Sequence, residues 1–239
     1  FLKKSIPERA KLTKVWPAAR HARKMFVLDG CVQPALAPNI NIASASVLDK
    51  LGISLVKAAN AGCCGAVAYH LNDQQDGLNY MRRNIDAWWP LVEKKEVEAI
   101  IVTASGCGVT VKEYGHLLRY DSVYAGKAAT ISTLAKDISE ILHAELGNLQ
   151  HLFSQKHTAL KTKLSFHSPC TLQHGMQIRG VVEEILQAAG FELSYVANAH
   201  LCCGSAGTYS ILQPELSQQL LKNKLAAMDN KKKKKKLFL

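Results

Sequence analysis

Two Cys-Cys-Gly sequences, Cys63-Cys64-Gly65 and Cys202-Cys203-Gly204, each follow a lone cysteine, Cys31 and Cys170, by the same 32 residues. Six of the seven cysteines belong to this repeat, and the seventh, Cys107, lies in Ser105-Gly106-Cys107-Gly108. Scattered buried thiols have no reason to keep a common spacing, so the chain reads as an internal duplication whose shared feature is a cluster of soft sulfur ligands. Adjacent cysteines make poor disulfides, because bridging neighbours distorts the backbone. They can reach different metal atoms of one multinuclear centre. A single tetrahedral zinc favours the wider Cys-x2-4-Cys bite, and no Cys-x-x-Cys occurs here.

Charge narrows the function classes. Of the formal +11 over 239 residues, the first 24 residues carry +7 and Lys231 to Lys236 carry +6, so the remainder is −2. The body is therefore not a polyanion-binding surface, and no specific nucleic-acid partner is expected. No run reaches the length of a membrane helix, and no signal-peptide pattern follows the basic start, which predicts a cytoplasmic protein. An odd number of cysteines in such a chain favours metal or redox chemistry over a disulfide framework.

Residues 1–24, basic with Pro7 and Pro17, read as a linker. The stretch 25–146 reads as a first cysteine-rich half. Lys24 to Asp29 forms a buried strand delivering Cys31, and a helix over Asn41–Leu51 is ended by Gly52. A strand over Ile53–Val56 leads to Gly62-Cys63-Cys64-Gly65. A helix over Asp73–Lys95 follows, with a kink or break expected at Pro90, in which Trp88 and Trp89 are either core or a partner patch. A strand over Glu98–Thr103 ends near Cys107, and helices over Val109–Leu118 and Ala128–Leu146 complete this half. A polar connector, 147–161, precedes a second, truncated half, 162–228. In it Lys163–His167 is a strand ending at Cys170, Gln177–Ala189 a helix, Phe191–Val196 a strand leading to Cys202-Cys203, and Gln213–Met228 a terminal helix. The lysine-rich tail, 229–239, is expected to be disordered or foreign to the fold. The alternation predicts an α/β protein: two pseudo-symmetric halves, mostly parallel sheets flanked by helices, with the cysteines at strand carboxyl ends where such sheets bind ligands.

The first half supplies four thiols, Cys31, Cys63, Cys64 and Cys107, and the second three, Cys170, Cys202 and Cys203. Either His167, His174 or His200 completes the second set, or its fourth ligand lies in sequence that is missing here. All seven cysteines are candidate cofactor and metal ligands, and no catalytic group stands out. A zinc-binding or metal-free docking domain is the reading from a different class.

The phrases Leu28-Asp29-Gly30-Cys31, Ala61-Gly62-Cys63-Cys64-Gly65-Ala66, Asn84-Ile85-Asp86-Ala87-Trp88-Trp89-Pro90, Ala104-Ser105-Gly106-Cys107-Gly108 with Lys112-Glu113-Tyr114-Gly115, and Leu201-Cys202-Cys203-Gly204-Ser205-Ala206-Gly207 together cover residues 25 to about 228. They resemble the cysteine-rich (CCG) domain of heterodisulfide reductase subunits and of the iron-sulfur subunits of flavin-linked dehydrogenases, glycolate oxidases above all. The resemblance implies an electron-transfer subunit with a 4Fe-4S-type iron-sulfur cluster, in a complex that oxidises glycolate to glyoxylate. Lactate and glycerol-3-phosphate dehydrogenases are the alternatives. It further implies flavin-containing catalytic partner subunits that carry the FAD, and admits peripheral association with the inner face of the cell membrane. It marks the chain as a fragment without the family's N-terminal ferredoxin-like domain and its extreme C-terminus. Fuller patterns in the family place a further cysteine where this chain has Thr110.

Overall fold

The computed structural model describes residues 15–155, 162–229 and, for the backbone, 236–238. The chain divides into two compact units, with the boundary between Ile138 and Ser139.

The first unit is a four-stranded parallel sheet in the order β2-β1-β3-β4, formed by β1 (Arg23–Val27), β2 (Ile53–Lys57), β3 (Ile100–Val102) and β4 (Ala135–Asp137). All three residues of β3 are buried, as expected for a parallel strand covered on both faces. The chain leaves β1 for β2 on one side and then crosses to β3 on the other. This reversal opens a crevice beyond the carboxyl ends of β1 and β3. The short helix α1 (Gln33–Leu36) follows Cys31, and α2 (Asn39–Lys50) then buries Ile42, Ala45 and Leu48 at helical spacing before Gly52, at φ +77°, turns the chain into β2. After the Cys-Cys-Gly loop come α3 (Ala66–His70) and α4 (Gln74–Glu93), the latter capped by the Asp73 carboxylate, which accepts from the Asp76 N–H. One stripe of α4, Met81, Ile85, Trp88 and Val92, packs into the core with Phe26, Leu28 and Tyr114. Trp88 is thus core, and Trp89 packs partly buried against the same cluster.

The single helix expected over Ala128–Leu146 is instead α6 (Ala125–Leu134), strand β4 and α7 (Ile138–Ala144), and α8 (Leu146–Ser154) occupies much of the expected connector. Ala135-Lys136-Asp137 has no β-branched residue, so its strand character comes from pairing with β3 and not from propensity. Residues 15–22 are also not a free linker. The Trp16 indole donates to the Leu55 carbonyl at 3.0 Å, the Arg20 and His21 N–H groups donate to Ser54 Oγ, and both side chains pair with Asp49. The linker over 1–14 and the connector over 156–161 lie outside the described residues.

The second unit repeats the beginning of this plan in a three-stranded parallel sheet, β6-β5-β7, formed by β5 (Lys163–Phe166), β6 (Glu192–Leu193) and β7 (Lys236–Phe238). Strands β5, β6 and β7 take the places of β1, β2 and β3. Residues 236–238, expected within the tail, therefore form a sheet strand, while 230–235 lie outside the described residues. A π-helical turn (Thr171–Gly175), α9 (Val181–Ala188), α10 (Tyr209–Leu212) and α11 (Pro214–Met228) complete the unit. Helix α9 starts later than expected, after Gly180 at φ +77°, and β6 is shorter than expected.

The duplication persists in backbone detail. Gly65 has φ +90°, and a Cβ there would stand 2.5 Å from the carbonyl oxygen of Gly77, the fourth residue of α4. Gly204 has φ +84°, and its Cβ would meet the carbonyl oxygen of Ser217, the fourth residue of α11, closer still. Each Cys-Cys-Gly turn is thus pressed onto the first turn of the helix behind it, at a distance only glycine permits.

Candidate metal centres

In the first unit each thiol follows a strand of the parallel sheet: Cys31 follows β1, Cys63 and Cys64 follow β2, and Cys107 follows β3. Cys107 lies in the first turn of α5 (Ser105–Leu117), a helix that begins four residues earlier than its sequence suggests. There the unpaired amides of the helix start favour negative charge. Cys31 is exposed, Cys63 and Cys107 are partly buried, and Cys64 is buried.

The four sulfurs act on one another. The Cys107 thiol donates toward Cys64 and, outweighing burial, draws the Cys64 pKa down to about 6, helped by the Ala66 N–H and the Thr110 hydroxyl. Cys107 is pushed up by the same hydrogen bond, then by burial and by the charges of Cys64, Cys31 and Cys63. The shared hydrogen bond thus favours the thiolate at Cys64 and the thiol at Cys107. Burial raises Cys63, which also lies within hydrogen-bonding reach of Cys31. Thr110 thus presents a hydroxyl to Cys64. Although the sulfurs share charge, among the described residues no three Cys, His, Asp or Glu side chains converge on a point that one ion could occupy.

The backbone of this loop is clamped from below by two residues the sequence analysis quoted but gave no role. Fully buried Asn84 on α4 accepts the Gly62 N–H at 2.9 Å and donates to the Cys63 carbonyl at 2.8 Å and to Tyr114 Oη at 3.0 Å. Tyr114 Oη donates in turn to the Cys64 carbonyl at 2.9 Å. Burial holds the phenol protonated, which keeps it a donor. The readable signal was an asparagine on the apolar stripe of α4. Replacing Tyr114 by Phe leaves the Cys64 carbonyl and an Asn84 N–H unpaired in the core. A loss of about 1–3 kcal/mol is expected, measured by denaturant unfolding of the metal-free chain. Beside the loop a cleft of about 430 Å³ is lined by Asn60, Asn79, Arg82, Arg83 and Asp86. The Arg83 guanidinium lies within 3.0 Å of where a Gly62 side chain would begin.

In the second unit Cys170, Cys202 and Cys203 are all partly buried. Burial raises the Cys170 pKa, with further contributions from the charges of Cys202 and Cys203, so these three sulfurs also share one neighbourhood. The Gly204 N–H donates to Cys202 Sγ at 3.3 Å. Of the three histidines considered as a fourth ligand, His174 and His200 are exposed, whereas His167 is buried with neither ring nitrogen hydrogen-bonded.

Among the described residues no helix is long and apolar enough to cross a membrane. Comparison with known proteins agrees with the duplicated plan. The family described as "Cysteine-rich domain" (CCG) matches residues 25–112 and again 164–236. The glycolate oxidase iron-sulfur subunit of Escherichia coli (strain K12) is 49% identical over 227 residues, which is 95% of this chain and 54% of that protein. The probable glycolate oxidase iron-sulfur subunit of Bacillus subtilis (strain 168) is 31% identical over 209 residues, 86% of this chain and 45% of that protein. Lactate utilization protein A of Bacillus velezensis is 26% identical over 211 residues, 87% of this chain and 83% of its own length. The chain spans about half the length of the two glycolate oxidase subunits. Two matched segments, one on each sheet and each carrying its Cys-Cys-Gly turn, show that the chain belongs to the cysteine-rich CCG domain family.

Proposed function

We propose that this chain is the cysteine-rich part of an iron-sulfur electron-transfer subunit in a flavin-linked 2-hydroxy acid oxidoreductase, with glycolate as the substrate of the complex. The observation that carries this reading is the placement of Cys31, Cys63, Cys64 and Cys107 after three strands of one parallel sheet, with the Cys-Cys-Gly loop locked from below by Asn84 and Tyr114. Soft thiolates suit iron-sulfur chemistry, and adjacent cysteines can reach different metal atoms of one centre, whereas a lone zinc favours a wider bite. An iron-sulfur cluster of the 4Fe-4S type, when bound, supplies one-electron transfer. The protein's part is to present the thiolates, hold the loop rigid and set the surrounding charge. Substrate oxidation then belongs to flavin-carrying partner subunits, and among the described residues no substrate-oxidising site is identified. The substrate assignment follows the two glycolate oxidase relatives, and the lactate utilization proteins keep lactate as the second reading. Peripheral association with the inner face of the membrane, from a cytoplasmic location, is part of the same reading.

The test is anaerobic reconstitution with iron and sulfide. Bound iron, acid-labile sulfide and a reducible electronic or spin-resonance signal are expected. Stoichiometric zinc with no sulfide would leave only the docking-domain reading. Substrate is tested by adding the flavin subunits and comparing reduction of the centre by glycolate and by lactate.

A further inference from the structure

The two units are built on one plan, so residues at matching positions can be compared directly, and two pairs beneath the cysteine loops differ in kind. Three residues before the lone cysteine stands Leu28 in the first unit and His167 in the second. Leu28 is buried in the core cluster that also contains Cys64 and Tyr114. His167 is 6% exposed, and neither ring nitrogen has a hydrogen-bond partner. At the eleventh residue of the helix behind the Cys-Cys-Gly turn stands Asn84 in α4 and Lys224 in α11. Asn84 is the neutral clamp described above. Lys224 is 2% exposed, and its ammonium donates to the carbonyls of Asn198 at 3.2 Å and Ala199 at 3.1 Å, on the loop leading to Cys202.

A buried ammonium without a counter-charge is expensive, and an imidazole buried with both nitrogens open forfeits its hydrogen bonds. Among the described residues no carboxylate pairs with Lys224 in an ion pair. Burial, and after it the nearby Lys224 ammonium, disfavour a charged imidazole at His167. The second unit thus places a cation and a buried imidazole with both nitrogens open where the first has an amide and a leucine, the cation against the loop leading to Cys202 and the imidazole three residues before Cys170. Such a floor stays costly until an anionic group with acceptor atoms sits above it.

We propose that Lys224 and His167 form a charge-compensating floor for an anionic metal-thiolate centre held by Cys170, Cys202 and Cys203, and that this floor makes the second centre easier to reduce than the first. Lys224 compensates the negative charge of the thiolates, and His167 donates a ring N–H to a sulfur of the centre. Both are positioning residues, and both favour the more negative, reduced form, because potentials of thiolate-bound centres respond to net charge and to hydrogen bonds at sulfur. The inference rests on the iron-sulfur reading above but concerns the second unit alone.

The experiment uses the full 239-residue chain, reconstituted anaerobically with iron and sulfide and titrated redox-potentiometrically with spin-resonance detection. Cys63→Ser and Cys202→Ser assign the signals to the two units. In the unsubstituted protein the signal lost in Cys202→Ser is expected to have the higher potential, and the reverse order overturns the proposal. Lys224→Gln keeps donors for the Asn198 and Ala199 carbonyls but removes the charge. It is expected to lower the reduction constant of the second centre about tenfold or more, about 59 mV for a one-electron couple, while the first is unmoved. Lys224→Arg keeps the charge and should stay near the parent value. The double variant Lys224→Asn with His167→Leu copies the floor of the first unit and should bring the two potentials together. An unchanged second potential in Lys224→Gln, or iron and sulfide in the first unit only, refutes the floor while leaving the iron-sulfur reading intact. No centre in either unit refutes both.

Discussion

Serine at Cys64 is expected to remove most of the iron and acid-labile sulfide bound by the first unit, and serine at Cys63 nearly as much. A hydroxyl is a harder and far less acidic ligand than a thiol. At Cys64 the change also removes the thiol whose ionised form the Cys107 thiol, the Ala66 N–H and the Thr110 hydroxyl all favour. Loss of an outer hydrogen-bonding partner at a metal site costs roughly 10–100-fold in affinity, and loss of a ligand should exceed that. The measurement is the iron and sulfide content per chain after anaerobic reconstitution and desalting, with the spin-resonance amplitude of the first-unit signal as the second readout. Full retention of both after replacement of Cys63 and Cys64 would move the centre away from the Cys-Cys-Gly loop.

Much of this was legible in the sequence because duplication makes spacing informative. The interval from Cys31 to Cys63 and from Cys170 to Cys202 fixed the repeat, and apolar stripes such as Ile42, Ala45 and Leu48 placed the helices between the strands. What stayed hidden depends on contacts between distant residues. Strand β4 exists because Ala135, Lys136 and Asp137 line up with Ile100, Ile101 and Val102, and nothing in Ala-Lys-Asp alone distinguishes it from helix. The same holds for Lys236–Phe238, whose pairing with Leu164–Phe166 bridges some seventy residues of chain. The grip of Asn84 and Tyr114 on the cysteine loop joins three segments separated by 21 to 50 residues, so no local pattern announces it. Lys224 reads in sequence as an ordinary solvent-facing residue of a polar helix. Only its 2% exposure and its two carbonyl partners show that it points inward.

Alanine at Gly65 or Gly204 should be the most damaging single-methyl change in the chain, and the two should behave alike if the units share one construction. At Gly65 the added Cβ would lie 2.5 Å from the Gly77 carbonyl oxygen and 3.2 Å from Tyr80 Cβ, and the residue would keep φ near +90°, a conformation L side chains rarely adopt. The obstructing oxygen belongs to the backbone of α4, so relief requires moving the helix or the loop. The helix is anchored by Trp88 and Ile85 in the core, and the loop by Asn84 and Tyr114. Holding a non-glycine residue at such a φ costs about 1–3 kcal/mol, and overpacking a rigid site adds about 1–3 kcal/mol. Together these make a large share of the roughly 5–15 kcal/mol that stabilises a domain. Gly204 faces the Ser217 carbonyl oxygen more closely, and Ser217 Oγ also donates to the Gly204 carbonyl at 2.9 Å, which ties the turn to α11 from both sides. Gly30 is the matched control: it also has positive φ, at +76°, but nothing lies within 4 Å of its added Cβ, so Gly30→Ala should incur the conformational cost alone. Denaturant unfolding of the metal-free variants checks this order. If Gly65→Ala and Gly30→Ala lose the same stability, the close approach of turn to helix is not what the glycine serves.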